Sequence, residues 1–432
     1  MKVLDWYLKK IPKHHKDIIK GSILLVAFII VSKLTGVLKD VIVAAELGVG
    51  LEMDTFMYAF TLSTMIVNPL VQTIINCIST SYSEIDTNAK LEEFQGTVNL
   101  LVLIIGGLLL ISQHLAMPSI IELISDGKNS LEKEKLETYS KILNLYIPLS
   151  LIIAVSSTRM LMRKQHINTL LESLPAVCTI FSCLFWVRKI DGITLISGFL
   201  IGSFLQWMLM EIDQYRRIRR ISLSCKFSTE ILNLTRRVCW MLPAMILTTS
   251  TIVVDHMMAS WLGTGYISTL GYATKVLAIL LTLTQTVVGR SVMPVLGEIR
   301  SNPVLLEKTV KQWMYISIVG STLLAGMMAI FAEPVINLLF ERGKFSTQET
   351  IAVRNVLWAY LLQTPFYLGS TILFIERVIK GKQKELLNMA VLVFLFNIVL
   401  NNVLSSYLSV VGIALSTSIC YFIQWLYLYK KR

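Results

Sequence analysis

Charged side chains stand inside or at the edges of apolar runs. Lys33, Lys39, Asp40 and Asp54 lie in the first half of the chain, and Asp255 and Lys275 in the second. A charge at the centre of a bilayer costs about 2.5–3.5 kcal/mol on insertion scales, so it is kept beside a partner or a wet cavity. Ammonium groups in such a cavity would attract an anionic substrate, and the carboxylates would balance or gate them. The plainer reading of each residue is a structural ion pair or a side chain snorkelling to the interface. Lys33 and Lys39 are six residues apart and fall on different faces of a straight helix. Asp40 adjoins Lys39 and does not share its face; a break at Thr35-Gly36 would relax both constraints. His256 reads as a packed or hydrogen-bonded histidine, and Arg290 as a charge at a helix end.

Other chemistry is missing from the sequence. There is no GxxxxGK[ST] phosphate loop, no GxSxG elbow and no HExxH. The five histidines are scattered and join no cysteine or carboxylate at metal spacing, so no metal site is expected. The six cysteines form no CxxC pair and read as small buried hydrophobes. The chain is therefore expected not to be an enzyme and to need no cofactor.

Apolar residues make up 54% of the 432 and charged residues only 16%. That composition excludes a set of soluble domains and predicts an all-α, polytopic membrane protein. We place about twelve spans near 21–46, 54–81, 97–116, 141–162, 168–187, 191–211, 238–262, 267–294, 313–332, 350–375, 386–406 and 409–429. With the N-terminus inside, cytoplasmic segments collect about 27 Lys and Arg and external ones about 8, which puts both termini in the cytoplasm. The net charge of +12 follows from that bias and needs no nucleic acid.

Asp40-x3-Ala44-x2-Leu47-Gly48-x-Gly50 recurs as Asp255-x3-Ala259-x2-Leu262-Gly263-x-Gly265, and Pro118-x-Ile120 recurs as Pro334-x-Ile336 at nearly the same offset. The duplication predicts two parallel-repeat six-helix bundles. Residues 1–20 form a basic cytoplasmic segment, 21–212 the first bundle, 213–237 a basic linker and 238–432 the second bundle. Gly48, Gly50, Gly263 and Gly265 fall at external turns, where turn geometry outranks a hinge role.

The stretch from Ser32 to Phe60 resembles the opening of the lipid II flippase family (MurJ/MviN) of the multidrug/oligosaccharidyl-lipid/polysaccharide exporter superfamily. The matching residues are Ser32-Lys33, Gly36, Lys39-Asp40, Gly48-x-Gly50 and Asp54-x-Phe56. Later matches are Pro243, Asp255 with Ala259-Ser260, Tyr272-Ala273-x-Lys275, Pro294 and Leu339-Phe340-x-Arg342-Gly343-Lys344-Phe345. The resemblance implies two six-helix bundles forming a V around a central cavity. It also implies alternating access that carries a pyrophosphate-linked, lipid-borne sugar outward across the bacterial cytoplasmic membrane. Family charges carry over to Lys33, Lys39, Asp40, Asp54 and Lys275. Three of these are lysines where the family has arginine, which removes the bidentate fork. The family's basic residue and Glu-Gly stretch late in the second span have no counterpart in Val67-Asn68-Pro69 and Gln72 to Ser79, and that family typically has fourteen spans.

The expected function is a flippase for a polyprenyl-pyrophosphate-linked saccharide in peptidoglycan or surface polysaccharide synthesis, acting as a monomer among membrane lipids. Lys33 and Lys275 would attract the pyrophosphate. The membrane potential, sodium or protons would drive the cycle. Two alternatives stay open at this point: an O-antigen or capsule repeat-unit flippase, and a cation-coupled drug exporter of the same superfamily.

Overall fold

The computed structural model describes residues 13–85, 88–124, 130–163, 165, 167–186, 190–218, 228–299, 302–380 and 382–431. Side chains are not described for 13–27 and most of 283–298, so His14, His15, Arg290 and Pro294 lie outside the described side chains. Most of the basic segment 1–20 and the centre of the linker 213–237 lie outside likewise.

Among the described residues the regular structure is helical throughout. In chain order the helices are α1 (Lys13–Leu47), α2 (Leu51–Thr64), α3 (Val67–Glu84), α4 (Asn88–Ile124), α5 (Ser130–Leu143) and α6 (Tyr146–Met162). There follow α7 (Ile167–Leu171), α8 (Leu174–Phe181) with a short π-helical extension Ser182–Trp186, α9 (Gly192–Ile218), α10 (Thr229–Leu262) and α11 (Tyr266–Glu298). The chain ends with α12 (Pro303–Ile330), α13 (Ala332–Phe340), α14 (Thr347–Leu361), α15 (Thr364–Ile379) and α16 (Gln383–Lys430).

Seven helical stretches among the described residues are long and apolar enough to cross a membrane, and eight if α2 and α3, bent by 47°, count as one. Helix stands at every one of the expected span positions, but several are interrupted. Pro69, Pro148, Pro175 and Pro365 each sit in the first turn of the helix after an interruption, at α3, α6, α8 and α15. There the missing N–H is not needed, while the ring blocks continuation from the preceding helix. Pro118 and Pro243 instead lie inside continuous helices. α16 contains two expected spans joined at Ser409, whose φ of 52° and ψ of −137° break the helical path. Cys420 Sγ, 3.8 Å from Val393 O, and Ser416 Oγ, 3.5 Å from Asn397 O, bring its two arms side by side, so α16 is a hairpin.

The chain forms two compact units. One comprises Met1–Ile42, Ile74–Ser112 and Leu145–Arg237; the other comprises Val43–Thr73, Gln113–Asn144 and Val238–Arg432. The boundary cuts through α1, α3, α4 and α10. In the first unit α8 packs against α9 through Gly198 and Gly202. A Cβ on Gly202 would stand 2.5 Å from Pro175 Cα, so only glycine admits this approach of two backbones. In the second unit α2 packs on α5 and α11, and α12, α15 and α16 enclose a core that includes Leu306, Val310, Met314, Ile372, Leu386 and Leu428.

Candidate functional site

The end of the duplicated motif builds a seam within the second unit. Gly48 turns the chain out of α1 with a φ of 62°. Against that turn lies the connection between α13 and α14, where Gly343 has a φ of 59°. The Lys344 N–H donates to Ala45 O at 2.8 Å, and a Cβ on Gly343 would fall 2.2 Å from that same oxygen. Glu349 divides its carboxylate. Oε2 accepts from the Ser346 N–H to cap α14, and Oε1 accepts from the Val49 N–H at 3.2 Å. The Tyr272 hydroxyl donates to Gly48 O at 3.2 Å, and its ring packs on Phe340 and Phe345.

Asp54 completes the seam. It is buried in the first turn of α2. Its Oδ2 accepts from the Gly265 N–H at 2.5 Å and its Oδ1 from the Ser268 N–H at 2.7 Å. These are orphan donors at the start of α11, where a negative charge also opposes the helix dipole. The carboxylate thus ties the first copy of the motif to the turn that ends the second. Gly263 and Gly265, with φ of 134° and 89°, fit the expected turns. Gly50 has an extended φ of 173° and nothing within 4 Å of a built Cβ, so no backbone constraint there requires glycine.

Lys33, Lys39 and Asp40 belong to the first unit and lie on α1, which runs unbroken through Thr35 and Gly36. Nothing there relaxes the face geometry, and Thr35 Oγ1 donates back to Val31 O at 2.8 Å. Lys39 and Asp40 do pair, at 3.1 Å. The expectation from face geometry fails because the lysine stem is long enough to curl back over its neighbour. Lys33 is exposed on the helix surface, with Glu172 near enough to feel its charge. Lys275 is half-buried in α11, with Nζ 4.9 Å from the Tyr272 ring centroid. A cation over that ring gains about 0.5–2 kcal/mol.

Asp255, buried in α10, sits among neutral polar groups. Its Oδ1 accepts from Asn397 Nδ2 at 3.1 Å and Asn401 Nδ2 at 2.6 Å, and its Oδ2 from Thr417 Oγ1 at 2.9 Å. The asparagines come from one arm of α16 and the threonine from the other. Asn401 Oδ1 is buried with no hydrogen-bond partner. Turning both amides over would replace the two donors with two oxygens. The cluster can then present both Asp255 oxygens, two amide oxygens and a hydroxyl to one small hard cation, or hold a proton. Beside it, His256 Nδ1 lies 2.7 Å from Thr61 Oγ1, the hydrogen-bonded state expected for this histidine.

Two buried ion clusters escaped the reading from sequence. Arg159 on α6 donates to Glu211 on α9 at 2.7 Å and to Ser156 at 2.8 Å. Arg377 on α15, fully buried, pairs with Glu385 at 2.8 Å and donates to Leu428 O at 2.9 Å, gripping both arms of α16 at their open end. Glu376 beside it pairs with Lys380 at 2.7 Å.

Residues 43–431 match the family model described as lipid II flippase MurJ. A probable lipid II flippase MurJ of Aquifex aeolicus is 24% identical over 365 residues, covering 81% of this chain and 70% of that one. The corresponding protein of Rickettsia prowazekii is 22% identical over 430 residues, covering 96% and 84%. A solved structure of lipid II flippase MurJ in an inward closed conformation shares the fold with a TM-score of 0.76 at 23% identity, over 95% of this chain and 87% of that one. An inward-facing multidrug resistance MATE transporter of the MOP superfamily shares it at 0.68 and 14% identity, over 93% and 94%. The chain belongs to the MurJ family of lipid II flippases.

Proposed function

We propose that this protein moves lipid II from the cytoplasmic to the outer leaflet of the bacterial cytoplasmic membrane, with both termini in the cytoplasm, and so supplies peptidoglycan synthesis. Family membership supports the substrate. The observation that carries the site is Lys33, an exposed ammonium within an apolar helix. In a water-lined cavity it would meet the pyrophosphate. Lysine holds phosphate as a point charge instead of by a bidentate fork, so position along the lipid carrier is less tightly fixed than an arginine would fix it.

The Asp255 cluster supplies the coupling. A monovalent cation or a proton at Asp255 would draw in oxygens from Asn397, Asn401 and Thr417, and its binding from one side of the membrane and release to the other would set the direction of the cycle. A single carboxylate among neutral oxygens suits sodium better than a divalent ion, which usually collects more negative ligands.

The test is depletion of the protein followed by analysis of lipid-linked sugars. Lipid II should accumulate on the cytoplasmic side and the cells should lyse. Accumulation of another lipid-linked oligosaccharide with an intact wall would instead make it a repeat-unit flippase. Accumulation of neither would overturn the reading.

A further inference from the structure

A cleft of about 430 Å³ opens beside α12, α13 and α14 and is lined by Ile330, Glu333, Pro334, Asn337, Arg354 and Trp358. None of these residues takes part in the seam or the Asp255 cluster. The Arg354 guanidinium lies over the Trp358 ring, 4.7 Å from its centroid, which fixes its plane. The Trp358 indole is itself anchored, donating to Ala329 O at 3.0 Å. Arg354 gives Nη1 to Glu333 Oε2 at 2.5 Å, and Nε and Nη2 to Asn355 Oδ1 at 3.3 and 3.1 Å. A guanidinium has five N–H donors. Three are engaged, so two remain for an acceptor in the cleft. Glu333 is half-exposed, and its Oε1 has no hydrogen bond among the described residues.

The cleft therefore offers one fixed cation with two spare donors and, next to it, one anion with a spare oxygen. Below it runs an exposed apolar stripe on one face of α12: Ile316, Val319, Leu323, Met327 and Ile330. Their spacing of three and four residues keeps them in line. A tryptophan with its polar edge anchored at the head of such a stripe is the pattern of a membrane–water interface.

We propose that this cleft binds the headgroup of a zwitterionic, amine-bearing phospholipid such as phosphatidylethanolamine. The phosphate takes the spare N–H groups of Arg354, the ammonium takes Glu333 Oε1, and an acyl chain lies along the α12 stripe. An anionic headgroup without an amine would also meet Arg354 but would face Glu333 unpaired. Charge complementarity thus selects the zwitterion, independently of what the protein transports.

The probe is tryptophan quenching in vesicles of phosphatidylethanolamine and phosphatidylglycerol, 1:1, with one or the other lipid replaced by its brominated analogue. Subtracting the signal of Trp358→Phe isolates Trp358. We expect brominated phosphatidylethanolamine to quench that residue at least about twofold more than brominated phosphatidylglycerol. Glu333→Gln keeps the Arg354–Trp358 stack and removes the anion, so it should reverse the preference toward phosphatidylglycerol. Equal quenching by the two lipids in the wild type would mean bulk lipid only and would overturn the proposal. So would a wild-type preference for phosphatidylglycerol, or a preference that Glu333→Gln leaves unchanged.

Discussion

Replacing Asp54 by alanine separates two roles that its position in the sequence leaves confounded: contact with substrate, and capping of a helix. The carboxylate accepts two backbone N–H groups, from Gly265 and Ser268, in a buried setting. A hydrogen bond to a charged group contributes about 1.5–3 kcal/mol, and opposing the helix dipole adds about 0.3–1 kcal/mol. Water entering the vacated space recovers part of this, so Asp54→Ala should cost about 2–4 kcal/mol. Asp54→Asn keeps one acceptor oxygen and should cost about half as much. If a long chain loses about 2 °C of unfolding midpoint per kcal/mol, the alanine variant should melt roughly 4–8 °C lower in detergent. Hydrogen exchange should rise locally at the start of α11, in peptides covering Gly265 to Ser268, because those donors lose their acceptor. An unchanged midpoint and unchanged exchange, together with lost lipid II movement, would refute the capping argument and return Asp54 to the substrate.

Four further outcomes follow from the same structure. Lys33→Ala should abolish lipid II movement at wild-type abundance while Lys33→Arg keeps it, measured by leaflet-specific labelling; activity in the alanine variant would remove Lys33 from the site. Sodium should raise the thermal midpoint of the wild type but not of Asp255→Asn, with choline as the control; a wild type insensitive to both sodium and pH would remove the coupling role. Gly202→Val should destabilise by about 2 kcal/mol or more through overpacking against Pro175, whereas Gly50→Ala should stay within about 0.5 kcal/mol; denaturation midpoints of the two would compare them. Glu211→Gln strands Arg159 as a buried charge and should cost about 3–5 kcal/mol, read as loss of folded protein after mild heating.

The helices were legible because a membrane span is a statement about composition and length, and each expected position carries one. Their interruptions were half legible. Proline marks them, but Pro118 and Pro243 show that the same residue can sit inside a continuous helix. The duplicated Gly-x-Gly ends pointed to the seam, yet the sequence could not say that Asp54 would serve the second copy's turn. That pairing depends on two backbone N–H groups, which have no letter of their own. Asn397, Asn401 and Thr417 were passed over because they are neutral. The signal was there, two amides one turn apart on an apolar helix, and intramembrane carboxamides deserve the scrutiny given to charges. Arg159 and Glu211 were missed for a different reason: each sits near the end of an expected span, where a charge reads as interfacial, and only the packing of α6 on α9 turns the two into a buried pair.

The hairpin of α16 works like a pair of tongs. Its pivot is Ser409, and it is gripped at two heights. Asp255 bridges the arms about eight residues, or about 12 Å, from the pivot, and Arg377 holds Glu385 and Leu428 near the tips. A shift of about 1 Å across the inner grip is an angle of about 5° at the pivot. Carried along arms of about 30 Å, it becomes a displacement of roughly 2–3 Å at the tips. That exceeds what the Arg377 contacts can absorb while staying within hydrogen-bond range. The inner and outer grips therefore cannot change independently: a rearrangement around Asp255 must either strain the arms or release Arg377, about 20 Å away.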